Sequence, residues 1–319
     1  MGPSQSVPEQ PHSTGSERPG DEPAGKPKVL FVMGAGHSGS TILGMTLGNC
    51  ADVFFAGEIA RWLRYDGKPR LPGEERARFW SEVRGQVEVD PELLGRPARW
   101  IEQSSGAFRV RRWRVQRRLR GPYRRATEDL YRAIARTSGS AYVVDTSHFP
   151  RRARHLQALD GIELYLLFVV RNPQSVVASY ARENVPHKQT WKMPTTNAYL
   201  WLTYLLSVFV FLRHPRERRL FVSHEDFVTD PGGVVREILD CAGASAPLPD
   251  LDRLDTGLAF QGNRLLRTDV VSLKGRPERP AKGSRITALV HLPWSAIFSR
   301  LGPAANASGR DLTPQPHAE

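Results

Sequence analysis

Short, nearly continuous apolar runs alternate along this chain with stretches in which apolar residues recur every three to four positions. "KVLFVM" (residues 28–33), "AYVVD" (141–145), "ELYLLFVV" (163–170) and the start of "RLFVSHEDF" (219–227) are the apolar runs. Their few polar interruptions predict strands covered on both faces. Helical spacing follows each of them, in "STILGMTLGN", "PRRARHLQAL", "NPQSVVASYAREN" and "DPGGVVREILDCAG". Asn172 suits an N-cap with Pro173 at the first helical position, and Gly243 suits a helix C-terminus. Strands alternating with helices predict an α/β fold, a central parallel sheet flanked by helices on both faces. Residues 73–136 read as wholly helical, an insertion on that sheet, whereas glycines and prolines make the chain from Thr256 onward loop-rich. The most apolar stretch, "AYLWLTYLLSVFVFL" (198–212), has 15 residues. That is short of the ~18–20 needed to cross a bilayer, so a buried helix is expected.

Composition narrows the setting. Residues 1–26 are crowded with Pro, Gly, Ser and charge, with no apolar run of signal-peptide length, and read as a disordered tail. Residues 303–319 read as a flexible C-terminal tail, which leaves one domain over residues 27–302 in a chain of 319. Two cysteines, Cys50 and Cys241, are too few for a disulfide scaffold and have no metal-ligand spacing, so a reducing cytoplasm fits best. The formal net charge of +12 favours anionic ligands. "FRVRRWRVQRRLRGPYRR" (108–125) interleaves arginines with Trp113 and Tyr123, but no recognised nucleic-acid module surrounds it. A solvated helix with its aromatics turned inward is the expectation there, with no specific nucleic-acid partner.

The chemistry concentrates in "VMGAGHSGSTILGMTLGN" (32–49). A triphosphatase loop has the form G-x-x-x-x-G-K-[ST], with lysine reaching the terminal phosphates and a hydroxyl on magnesium. Gly34, Gly39 and Thr41 match that form, but Ser40 stands where the lysine would be. Backbone N–H groups at a helix N-terminus still hold one compact anion, and the hydroxyls of Ser38, Ser40 and Thr41 add donors. A second anion site is read at "RNPQSVVAS", where Arg171 leaves the end of a strand and Ser179 follows two turns into the next helix. Two anion sites suit a nucleotide with separate 5′ and 3′ phosphates.

The loop, with "RNPQSVVASY", resembles the 5′-phosphosulfate and 3′-phosphate motifs of sulfotransferases that use 3′-phosphoadenosine 5′-phosphosulfate (PAPS). It is most similar to bacterial members and to tyrosylprotein sulfotransferases. "AGE" (56–58), "VVDTSHFPRR" (143–152), "SHEDFVTDP" (223–231) and "GNRLLR" (262–267) extend the resemblance over most of the chain. It implies a P-loop-like sheet and direct sulfuryl transfer from PAPS, as co-substrate, to a hydroxyl or amine without a metal. The donor would be held by Gly36, His37, Ser38, Gly39, Ser40, Thr41, Arg171, Ser179 and Arg267. Glu58 matches the glutamate of similar enzymes and is the leading base for the acceptor's proton. His37 and His148 stand where the family usually has Lys or Arg. Protonated, they would serve as cations at the leaving phosphate; neutral, either would be an alternative base. Asp145 and Arg152 are expected to organise the loop rather than react. The acceptor class is a small molecule, a natural product or sugar. The competing readings are a P-loop kinase or other nucleotide phosphotransferase, and a non-catalytic nucleotide- or nucleic-acid-binding protein.

Overall fold

A computed structural model describes residues 25–103, 113–182, 189–273 and 284–302. Both proposed tails lie almost wholly outside the described residues, as do the start of the arginine-rich stretch and the first residues of the loop after Arg182. Five strands form one sheet: β1 (Lys28–Gly34), β2 (Val53–Gly57), β3 (Tyr142–His148), β4 (Glu163–Val170) and β5 (Arg219–Ser223). Their order is β2-β3-β1-β4-β5, and every neighbouring pair is parallel. This is the expected α/β fold.

The near-continuous apolar character of the strands has a direct consequence, because successive side chains point to opposite faces. Val29, Phe31 and Met33 join Leu166, Phe168 and Phe221 on one face, while Leu30 and Val32 join Leu167, Val169 and Val222 on the other. The second face is covered by α1 (Ser40–Gly48), α8 (His224–Thr229) and α9 (Pro231–Ala242). The first is covered by α5 (Pro150–Leu156), α6 (Pro173–Arg182), α7 (Gln189–Leu212) and α10 (Arg285–Leu301). Between β2 and β3 the chain runs through α2 (Glu74–Gly85), α3 (Arg96–Glu102) and α4 (Trp113–Ser138), which add Trp80, Ile101 and Tyr131 to that core. The antiparallel pair β6 (Leu254–Asp255) and β7 (Val270–Val271) lies outside the main sheet.

Local signals act as expected at two ends. The Asn172 carboxamide accepts from the Gln174 N–H (2.9 Å) ahead of α6, and Gly243 closes α9 in the left-handed conformation. Three expectations change. The chain after Thr256 contains α10, a 17-residue helix with Pro293 inside it. It persists because Thr287, His291, Trp294 and Phe298 form a buried stripe against α6 and α7. The apolar helix α7 has 24 residues, and its Met193–Leu212 portion is long and apolar enough to cross a membrane by length and composition. It is only partly buried: Leu200, Tyr204, Val210 and Phe211 face the core, while other apolar residues face solvent. In α4, Tyr123 is fully buried as expected, but Trp113 is exposed with Arg117 over its ring.

Candidate active site

The carboxyl ends of β1, β3 and β4 converge, with Met33 opposite His148 and Gly34 opposite Val169. The strand order changes direction at β1, and this is where open α/β sheets bind ligands. A cavity of about 620 Å³ opens here. Gly36, His37, Gly39, Ser40 and Thr41 line it from the loop after β1, and Glu58, Arg61 and His148 line it from the ends of β2 and β3.

The loop is built for close approach. Gly39 has φ of 91° and leads directly into α1, and a Cβ there would fall 2.2 Å from His224 Nδ1. A Cβ on Gly36 would fall 2.4 Å from the Tyr180 hydroxyl. Any larger residue would therefore push neighbouring side chains through the cradle. Helix α1 has no side-chain cap and no acidic residue in its first turn. Its N-terminal N–H groups and positive dipole end are thus left for an anion. The Ser38 hydroxyl is 1% exposed and has no hydrogen-bond partner among the described residues. An orphaned buried hydroxyl beside an uncapped helix start fits an anionic ligand.

The Arg171–Ser179 motif sits against the loop after β1. Arg171 Nη1 donates to the His37 carbonyl (3.3 Å), and Ser179 Oγ lies 3.1 Å from His37 Nδ1. His37, in the left-handed region at φ 65°, also sets its ring 4.1 Å from that of Tyr180. Arg171 and Ser179 therefore meet the cavity through His37 rather than on its wall. The His37 imidazole faces the Arg171–Ser179 motif as much as the loop.

Glu58 follows β2 directly, and its N–H donates to the Gln261 carbonyl (2.7 Å). Its side chain is 17% exposed, and Oε2 lies 3.1 Å from Arg61 Nε. His148 ends β3 in the left-handed conformation, φ 54°. Burial pushes its imidazole below the ordinary histidine range, against the opposing pull of Glu58. Neutral imidazole is consequently the favoured form at pH 7 without a bound anion.

Asp145 and Arg152 lie behind the wall. Arg152, itself buried, donates to Asp145 Oδ2 through Nε (3.0 Å) and to Glu102 Oε1 through Nη1 (2.6 Å). The Tyr131 hydroxyl donates to Asp145 Oδ2 (2.6 Å), and Asp145 Oδ1 accepts from the Ser147 N–H and hydroxyl. Ser147 Oγ in turn accepts from the Ala60 N–H (2.8 Å). The buried carboxylate thus fixes the turn after Glu58, an organising role.

Arg267 is not brought to the cavity; it is exposed at the end of the 3-10 turn Arg264–Arg267. Gln261, Gly262 and Asn263, just before it, line the wall instead. Tyr180 and Tyr199 also line the cavity without having been singled out, together with Thr195 and Thr196 from the stretch 183–197, which the sequence suggests as acceptor-pocket wall. The Tyr199 hydroxyl accepts from the Gly36 N–H (3.3 Å), so α7 reaches the loop after β1 directly. Its signal was the polar "TTNAY" interrupting an apolar helix.

The model of the sulfotransferase family matches residues 27–247. No curated protein matches the chain. Among solved structures, the sulfotransferase domain from the Synechococcus PCC 7002 olefin synthase is similar at 16% identity and a TM-score of 0.53, covering 86% of this chain and 98% of that one. The sulfotransferase domain from the curacin biosynthetic pathway is similar at 15% identity and a TM-score of 0.50, covering 85% of this chain and 99% of that one. At such identities the likeness is one of fold.

Proposed function

We propose, from the premise that this chain belongs to the sulfotransferase family, that it moves a sulfuryl group from PAPS to a hydroxyl or amine of a small-molecule or carbohydrate acceptor. The observation that carries this reading is a single cavity with an uncapped, hydroxyl-rich helix start on one wall and Glu58, Arg61 and His148 on another. The loop from Gly36 to Thr41 takes the 5′-phosphosulfate, and Arg171 and Ser179, joined through His37, take the 3′-phosphate. The acceptor oxygen bonds to sulfur as Glu58 removes its proton. The bond from sulfur to the bridging oxygen breaks, and its electron pair leaves on the 5′-phosphate of adenosine 3′,5′-bisphosphate. That developing charge falls where the α1 N–H groups and the Ser40 and Thr41 hydroxyls are already aligned, so little reorganisation is needed. A neutral His148 beside Glu58 is the second candidate base.

The phosphotransferase reading fares less well on two residues. Ser40 lacks the charge that reaches terminal phosphates, and Asp145, the acidic side chain within β3 beside β1, is already engaged by Arg152, Tyr131 and Ser147. Incubation with sulfate-labelled PAPS and an extract of the source organism is expected to label a small molecule, undiminished in EDTA. Labelling abolished by chelation and rescued by magnesium, with ATP as the better donor, would overturn the proposal in favour of phosphoryl transfer.

A further inference from the structure

Helix α7 carries Trp201, Leu205, Phe209 and Leu212 at intervals of four, four and three, one stripe along its outer side, with Leu205 58% exposed. Helix α10 adds Ile286, Leu289 and Leu292, with Leu289 69% exposed. The two helices are tied where Trp201 Nε1 donates to the Val290 carbonyl (3.1 Å) and the Trp201 ring lies 5.0 Å from that of Trp294. Both helices also bury apolar residues on their inner sides, so each is apolar inside and out. Paired exposed apolar stripes of this kind mark a docking surface rather than ordinary surface scatter.

The two helices carry charge of one sign. No Asp or Glu occurs from Gln189 to Arg216 or from Ser284 to Leu301. Arg213 lies 3.5 Å from the centroid of the Phe209 ring, and Arg285 and Arg300 mark the two ends of α10. A second copy of the face would bring only cations to meet these arginines. A bilayer with anionic headgroups supplies both an apolar layer and the missing negative charge.

We propose that the outer face of α7 and α10 docks this protein on an anionic membrane surface. The helices lie at the interface with Leu205, Phe209, Ile286 and Leu289 in the acyl boundary and the arginines at the headgroups. Surface docking, not spanning, is compatible with the buried inner faces of both helices. The inference stands apart from the donor chemistry, although the same α7 brings Thr195 and Tyr199 to the cavity wall.

Flotation of the full chain with phosphatidylglycerol–phosphatidylcholine vesicles and with pure phosphatidylcholine vesicles tests this. Binding to the anionic vesicles is expected to be on the order of 100-fold tighter, the scale for three arginines near a charged surface, and to weaken in high salt. The double variant Leu205→Gln/Leu289→Gln, checked for unchanged thermal unfolding, should lose flotation; Arg213→Gln/Arg285→Gln/Arg300→Gln should lose the lipid-charge preference. Failure of the native chain to float, or equal flotation of the Gln variants, would overturn the proposal. So would resistance to alkaline carbonate extraction, which would make α7 a spanning helix. Self-association abolished by Leu205→Gln/Leu289→Gln without vesicle binding would assign the face to a second copy instead.

Discussion

Glu58 and Arg61 sit one 3-10 turn apart, and their ion pair holds the carboxylate at the cavity wall without burying it completely. In the proposed transfer Glu58 is the general base, and on that proposal Glu58→Gln should lower turnover by about 10²-fold or more. Donor affinity, measured by calorimetry, should stay within about twofold, since glutamine keeps the side-chain shape. Loss of donor binding in proportion to turnover would make the residue structural. The loop residues and Arg171 with Ser179 were legible because glycines, hydroxyls and a strand-ending arginine each have a local physical reason to occur where they do. Tyr180, Tyr199 and Gln261 were not, because their presence at the cavity depends on how α6, α7 and the segment after Phe260 cross the sheet ends. His148 was legible as a position but not as a charge state, which is set by the burial that folding produces.

At the scale of elements, α3, α4, α5 and β3 meet on one guanidinium. Arg152 binds Asp145 of β3, Glu102 of α3, and the hydroxyls of Tyr123 and Tyr131 of α4. Replacing it by methionine preserves much of its volume but leaves two buried carboxylates without their cation. Arg152→Met should therefore cost about 3–5 kcal/mol in urea unfolding, the range for breaking a buried ion pair from one side. A loss below about 1 kcal/mol would mean that water or rearrangement satisfies Asp145 and Glu102. The elements themselves were unevenly readable. Strands β1, β3, β4 and β5 announced themselves by continuous apolar runs, and α6 and α9 by their caps. Strand β2 is a five-residue piece whose pairing with β3 comes from the whole sheet. Helix α10 was hidden by Pro293, whose local cost is outweighed by the buried Trp294 and Phe298. Helix α7 begins before its apolar run does, so the run alone understated its length.

For the whole molecule, burial sets the response to acid. Burial lowers the imidazoles of His148, His155, His214 and His291 below the ordinary range, His155 to about 3 with help from Arg124 and Arg120. Each of these binds a proton more readily when unfolded, so the stability it contributes is present above about pH 6.5 and is lost as pH falls toward the folded value. Glu102, raised to about 7 by burial, acts the other way, losing its contribution as pH rises through about 7. The four histidines act together against one Glu102, so the unfolding temperature should drop from pH 7 to pH 5.5, and less steeply in His214→Gln. A flat profile would mean that these histidines are solvated. The central proposal is that the cavity and the adjoining Arg171–Ser179 motif together bind a nucleotide by two separated anions, and calorimetry with adenosine 3′,5′-bisphosphate and adenosine 5′-phosphate tests it most directly. The bisphosphate should bind in the micromolar range, roughly 10- to 150-fold tighter than the monophosphate, with Arg171→Ala erasing that difference. Equal affinity for the two nucleotides in the native protein would contradict the account.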